Sequence, residues 1–310
     1  MLLLLLLLLL LLLLLLTQVP NALCPSLPFA CTSCSSAHVH AADTELGIAV
    51  SGLCAGYQQA LELDLPTPMA GARGTALLVV AHPDDEAMFF MPSICALTAM
   101  GVELHLLSLT NGDADGLGEV RHAEMAQCGA ALGAKCVTVL NRTDFLDGFS
   151  AEWDLSAASD ALVQHIKHVG VHFDLVLTFD EFGVSGHPNH IATHRTVLHA
   201  AHQLRGLTGR FLKLRTRTWA RICMQHMWAL VIGLDCVQWQ ETPSDSRDSG
   251  QPSYAALFFR LSCCASWRGM ACHATQWRWF RKLHVLFSHY TYTNALGPLT
   301  EADVRCDRGG

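Results

Sequence analysis

Five consecutive residues, His82-Pro83-Asp84-Asp85-Glu86, place one imidazole and three carboxylates directly after the apolar run 76–81. A second cluster, His187-Pro188-Asn189-His190, follows the apolar run 175–179. A lone acidic pair in a loop is ordinarily a solvated turn. Two His/carboxylate clusters at equivalent strand ends have instead the donor types of a hydrolytic metal site, which needs about three protein ligands and one open position. His82 and Asp85 lie in one turn and can approach an ion from one side. His190 supplies a third ligand from the other loop. Asp84 is then the candidate general base: it neighbours a ligand without having to bind the ion, and it can take a proton from the attacking water. His187, three residues before His190, can hold a proton and stabilise an oxyanion or a leaving amine. Its alternative is a helix N-terminal histidine bonded to backbone. Such a constellation hydrolyses an amide or an ester.

The elements that must position these residues alternate in type. A strand at 76–81 leads to a helix over 92–100, with Pro92 in its first turn and Gly101 past its end. A strand at 102–109, a turn-rich loop at 110–118, and a helix over 119–132 stopped by Gly133 come next. A strand at 136–140, a loop to about Trp153, and a helix over 155–169 precede the strand 174–179. A helix over 188–204 closes the series. This alternation argues for an α/β fold, a parallel sheet flanked by helices on both faces. In such sheets ligands bind beyond the carboxyl ends of the strands. No glycine-rich turn follows the first strand, so a dinucleotide-binding module is disfavoured.

The 310-residue chain is 51% hydrophobic and only 15% charged. That balance is richer in apolar residues than an average soluble domain and fits association with a membrane. A net charge of −7, with no basic patch interleaved with aromatics, argues against a nucleic-acid partner. The thirteen cysteines are scattered, which suits a reducing compartment. Cys31-Thr32-Ser33-Cys34 has ligand-like spacing but no second such pair, and adjacent Cys263 and Cys264 read as packing residues.

Leu2 to Leu16 is an unbroken leucine run. At ~1.5 Å per residue it spans roughly 22 Å against a ~30 Å hydrocarbon core, and extension through Val19 brings it nearer. Three readings stand open: a cleaved signal peptide, an uncleaved anchor, or an artefact of the gene model. Charge does not set its orientation, since the next basic residue is Arg73. The chain divides into a hydrophobic membrane segment at 1–19, a linker at 20–74, a catalytic domain at 75–300 and a tail at 301–310. Within that domain, 222–234 reads as a buried or interfacial helix and 244–253 as a surface loop. The stretch Trp277-Arg278-Trp279-Phe280-Arg281-Lys282 reads as a helix snorkelling its basic side chains or a contact with phospholipid headgroups.

Three motifs carry a family resemblance. Ala81 to Glu86 with Met88-Phe89-Phe90, Thr110 to Arg121, and Gly186-His187-Pro188-Asn189-His190 together resemble the N-acetylglucosaminyl-phosphatidylinositol de-N-acetylase family, the eukaryotic branch of a wider group of zinc-dependent deacetylases. Cys272-His273, Trp279 to Lys282 and Phe287-Ser288-His289-Tyr290 are similar to the C-terminal signature of that branch. The resemblance implies a Rossmann-like fold with an N-terminal hydrophobic segment and one zinc ion or another divalent metal. It implies removal of acetate from GlcNAc-phosphatidylinositol, the second step of glycosylphosphatidylinositol-anchor synthesis. It also implies a place in the endoplasmic reticulum membrane, with the catalytic domain facing the cytoplasm. By motif position His82, Asp85 and His190 resemble the metal ligands, Asp84 the base and His187 the oxyanion-side partner. Arg121 resembles a basic position near the substrate's inositol phosphate; its alternative is a helix-surface ion pair with Glu124 at i,i+3. Other readings are a deacetylase of another GlcNAc conjugate and a catalytically silent member of the fold, the latter opposed by the intact motif positions. Asn141-Arg142-Thr143 is a glycosylation acceptor sequence, without consequence if the domain is cytoplasmic.

Overall fold

The computed structural model describes residues 74–150, 152–204, 206–216, 256–259 and 263–299. The leucine run, the linker, the Cys31–Cys34 pair, the apolar stretch 222–234, the loop 244–253 and the tail lie outside them. Seven strands form one sheet: β1 (Thr75–Val80), β2 (Glu103–Ser108), β3 (Cys136–Val139), β4 (Phe173–Phe179), β5 (Thr208–Leu214), β6 (Ala256–Phe259) and β7 (Thr293–Pro298), in the order β3-β2-β1-β4-β5-β7-β6. The first five run parallel; β7 pairs antiparallel with β5 and β6. The strand order reverses between β1 and β4, and a crevice opens at such a switch point.

β1 is apolar at successive positions because both of its faces are buried. Ala76, Leu78 and Val80 point into one core layer; Leu77 and Val79 point into the other. Each fully buried leucine contributes ~1.5–3 kcal/mol. The first layer is covered by helices α1 (Asp85–Phe89), α2 (Met91–Ala99) and α3 (Gly118–Leu132), the second by α4 (Leu155–Val169) and α5 (Pro188–Gln203). Helix ends follow local chemistry. Asp154 caps α4, accepting from the Ser156 and Ala157 amides at 3.0 and 3.1 Å, and Gly170 ends it in the left-handed region.

Two features depart from the sequence reading. The expected helix over 92–100 is preceded by α1, which starts at Asp85 itself; the chain breaks at Phe90 and resumes at Met91. Pro92 explains the break, because it has no N–H to bond the Met88 carbonyl. The sheet is also mixed rather than wholly parallel. Its antiparallel edge comes from the C-terminal region, which contributes α6 (Cys264–Cys272), α7 (Trp279–Phe287) and α8 (His289–Tyr292) besides β6 and β7. Strand β7 carries Asn294, Gly297 and Pro298, poor strand formers, and tertiary bonds hold it. Buried Asn294 accepts from the Ser93 amide and hydroxyl at 3.0 and 2.8 Å and donates to the Phe89 carbonyl at 2.7 Å.

Candidate active site

The sequence-predicted ligands converge at the carboxyl ends of β1 and β4. His82, Asp85 and His190 are buried, and one donor atom from each lies within 4.8 Å of the others. Asp85 Oδ1 is 3.2 Å from His190 Nε2, and Asp85 Oδ2 is 3.5 Å from His82 Nδ1. Each residue is held from behind. Asp85 Oδ2 accepts the Ala81 and His82 amides at 3.1 and 2.9 Å. His190 Nδ1 bonds the Gly183 carbonyl at 3.0 Å, leaving Nε2 toward the centre. Gly183 must be glycine: its φ is +58°, and a Cβ there would stand 2.8 Å from the His190 Cβ. His82 Nε2 lies 2.9 Å from Asp147 Oδ1. Outward atoms tied to carbonyl or carboxylate, with inward atoms facing one another, form the outer shell a bound metal requires. The donor set fits zinc.

Asp147 was missed in the sequence, where 141–153 is only a loop. Its one signal is position, beyond the carboxyl end of β3, and nothing local marks it as a partner of His82. Asn189 Nδ2 donates to the same carboxylate at 3.2 Å.

Burial disfavours a charge on His82, but hydrogen bonds and charges from Asp147 and Asp85 outweigh it and lift its pKa to about 9. Burial likewise opposes ionisation of Asp85, yet the charges and hydrogen bonds of His190 and His82 hold its pKa well below the usual carboxylate range. His187 moves the other way. Partial burial and the charges of His82 and His190 bring it down to about 4. Its ring lies 4.9 Å from each of those two rings. His187 is the N-cap of α5, and its Nδ1 accepts from the Asn189 amide at 3.2 Å. The backbone-bonded alternative and the site role therefore coexist: with Nδ1 accepting, the neutral ring carries its proton on Nε2, a donor.

Asp84 lies beside the triad, buried, with φ +125°. Two guanidinium groups reach its carboxylate, Arg281 at 2.9 Å and Arg121 at 3.5 Å. Arg121 is not a helix-surface residue. It is buried and donates to the Gly112 and Pro83 carbonyls, both at 2.8 Å, while Glu124 turns to the Thr275 amide and hydroxyl at 2.7 and 2.6 Å. The ion pair with Glu124 is thus replaced by a clamp across two active-site loops. In the sequence Arg281 belongs to a basic-aromatic stretch and to the C-terminal motif of the resembling branch, with no role of its own assigned. In the structure it faces inward while Trp279 and Phe280 on the same helix stay exposed. Nothing in the local spacing separates it from Arg278 or Lys282.

The sequence matches the family model described as GlcNAc-PI de-N-acetylase over residues 77–201. It is 35% identical to the N-acetylglucosaminyl-phosphatidylinositol de-N-acetylase of Bos taurus, over 74% of this chain and 85% of that protein. It is 33% identical to a 1D-myo-inositol 2-acetamido-2-deoxy-alpha-D-glucopyranoside deacetylase of Nakamurella multipartita, over 40% of this chain and 53% of that protein. The fold is similar to that of N,N'-diacetylchitobiose deacetylase from Pyrococcus horikoshii, with a TM-score of 0.51 and 15% identity over 84% of this chain and 94% of that one.

Proposed function

The chain belongs to the GlcNAc-PI de-N-acetylase family, and from that membership we propose a zinc-dependent deacetylase that hydrolyses the acetamide of N-acetylglucosaminyl-phosphatidylinositol. The products are acetate and glucosaminyl-phosphatidylinositol, an amine-unmasking step in glycosylphosphatidylinositol-anchor synthesis. The observation that carries this reading is the buried convergence of His82, Asp85 and His190, each oriented from behind, beside a carboxylate outside the ligand set.

His82, Asp85 and His190 would hold the ion. When bound, zinc supplies positive charge that polarises the acetamide carbonyl and acidifies water. Asp84 takes the proton of the attacking water as its oxygen bonds to the carbonyl carbon. His187 points its Nε2–H at the oxygen where charge develops and steadies it as a neutral donor. Asp84 then returns its proton to the sugar nitrogen as the C–N bond breaks. One water is consumed, one amine and one acetate leave, and the carboxylate is regenerated. Arg121 holds the Gly112 and Pro83 loops beside Asp84, at the side of the site where the family resemblance puts the inositol phosphate.

The same reading puts the enzyme at the endoplasmic reticulum membrane with its catalytic domain in the cytoplasm. Cys128, Cys136, Cys263 and Cys272 carry free thiols, in keeping with a reducing compartment. No helix among the described residues is long and apolar enough to cross a membrane. Asn141 is exposed, so a luminal domain would be glycosylated there and a cytoplasmic one would not. Glycosidase treatment of the chain expressed in eukaryotic cells reads out the side.

The activity is tested by acetate release from GlcNAc-phosphatidylinositol and, in parallel, from water-soluble GlcNAc conjugates. Release from the lipid, abolished by chelator and restored by zinc, supports the reading. Release from soluble conjugates alone overturns the lipid substrate, and release unaffected by chelation overturns the metal.

A further inference from the structure

The matched family segment ends at residue 201, yet Arg281 pairs with the candidate base and His273 bonds Glu86, whose other oxygen accepts the base's amide. Asp84 sits at φ +125°, a backbone state that a residue with a Cβ adopts only when its surroundings impose it. Its amide donates to Glu86 Oε2 at 3.1 Å. The other oxygen of Glu86 meets His273 Nε2 at 2.5 Å, a contact across 187 residues of sequence. Both side chains of that pair are completely buried. Burial opposes a charge on either, but each partner's charge outweighs it, lowering the pKa of Glu86 and raising that of His273. Breaking such a pair leaves one uncompensated buried charge, so the contact is rigid.

The segment that brings these residues in is itself docked. Helix α6 comes close enough to α1 that a Cβ on Gly269 would stand 2.7 Å from Met91 Cε and 3.0 Å from the Ala87 Cβ. Past the end of α6, Thr275 bonds Glu124 of α3 through both amide and hydroxyl. Arg281, in the first turn of α7, then pairs with Asp84 Oδ2. One face of the base is therefore held by the β1 loop and Arg121, and the other by the C-terminal segment.

We propose that the C-terminal segment positions the base: His273 fixes the Asp84 backbone through Glu86, and Arg281 fixes its carboxylate directly. The inference rests on the reading of Asp84 as the base. Both are positioning residues, and neither binds the metal. A misplacement of about 1 Å at a reacting group costs up to ~10²-fold in rate. Loss of either contact should thus lower kcat while leaving substrate affinity and metal in place.

The test uses the full-length enzyme with metal content, kcat and KM measured for His273→Gln, Arg281→Gln, Arg281→Lys and Asp84→Asn, and for the first two in the Asp84→Asn background. His273→Gln and Arg281→Gln should lower kcat roughly 10- to 100-fold with KM within about twofold and metal retained. Arg281→Lys should recover part of the loss. In the Asp84→Asn background both should have no further effect, because a residue acting through Asp84 has nothing left to position. If His273→Gln does not fold, Glu86→Gln/His273→Gln replaces the ion pair by a neutral hydrogen bond, and Arg281→Gln, partly exposed, stands as an independent arm. Wild-type kcat in these variants while Asp84→Asn is inactive overturns the inference alone. Full activity in Asp84→Asn overturns the base assignment. Losses that multiply in the Asp84→Asn background, or loss of metal from His273→Gln, also overturn the inference.

Discussion

Two buried clusters abut at the end of β1, and they are built from nearly the same chemical parts. His82, Asp85 and His190 form one; Glu86, Cys128 and His273 form the other, and in each the donor atoms lie within 4.8 Å of one another. The difference is in what their outward atoms do. In the first, His82 Nε2 is tied to Asp147 and His190 Nδ1 to the Gly183 carbonyl, so the remaining donors face a common point. In the second, Glu86 uses one oxygen on His273 and the other on the Asp84 amide, while the Cys128 thiol is pushed up by its hydrogen bond to Cys272 and by burial. A deprotonated thiol is what a metal would need. Residue type and proximity alone do not make a metal site. Orientation imposed from behind is what separates the first cluster from the second.

The largest effect should separate the clusters outright. His190→Ala removes a proposed ligand and one of the partners of buried Asp85, so metal content should fall to near zero and deacetylation with it. Elemental analysis beside the activity assay checks this, and a variant that keeps a full equivalent of metal would remove His190 from the ligand set. Cys128→Ala should leave the metal untouched.

The division between Asp85 in the first cluster and Asp84 beside it comes next. Asp84→Asn should keep its metal and lose roughly 10²–10⁴-fold in kcat, whereas Asp85→Asn should lose the metal itself. Equal loss of metal from both would show that the two neighbouring carboxylates do not divide the work.

A third effect follows from the proton on His82. Its pKa, raised from 6.5 to about 9, means that the metal-free folded protein keeps this proton through neutral pH. The stabilisation it gives is fully present below pH 6.5 and is lost as pH rises through about 9. A zinc ion held by His82 would have to displace the proton, so its apparent affinity should climb about tenfold per pH unit through neutrality and level off above about pH 9. Competition with a chromophoric chelator measures the slope. A flat profile between pH 7 and 8 would mean that His82 is neutral in the metal-free site.

The smallest effect belongs to the second cluster's cysteine. Cys128 is fully buried, and its thiol hydrogen-bonds Cys272 and Glu86 at the edge of the core. Its replacement by Ala should cost about 1–2 kcal/mol of stability by denaturant titration, with kcat unchanged. A loss of activity without loss of stability would give the thiol a role beyond packing.

The sequence by itself determined strands β1 to β4, the approximate spans of α2 to α5 and the donor types of the five motif positions, because each is written in short range. A short apolar run bounded by turn residues reads as an interior strand, and Gly133 and Gly170 end their helices in the left-handed region. His82, Asp84 and Asp85 lie in one turn, and His187 and His190 in another, so the donor types were legible before any fold was known. Only the tertiary structure decided which of the remaining polar residues join them. Asp147 reaches His82 from beyond β3, Arg121 leaves the neighbouring Glu124 for two loops, and His273 and Arg281 arrive from a segment nearly two hundred residues away. No periodicity encodes such contacts. They depend on the strand order that sets β1 beside β4 and on the path of the C-terminal helices across the sheet, and both are fixed by the burial of the whole chain rather than by any window of it.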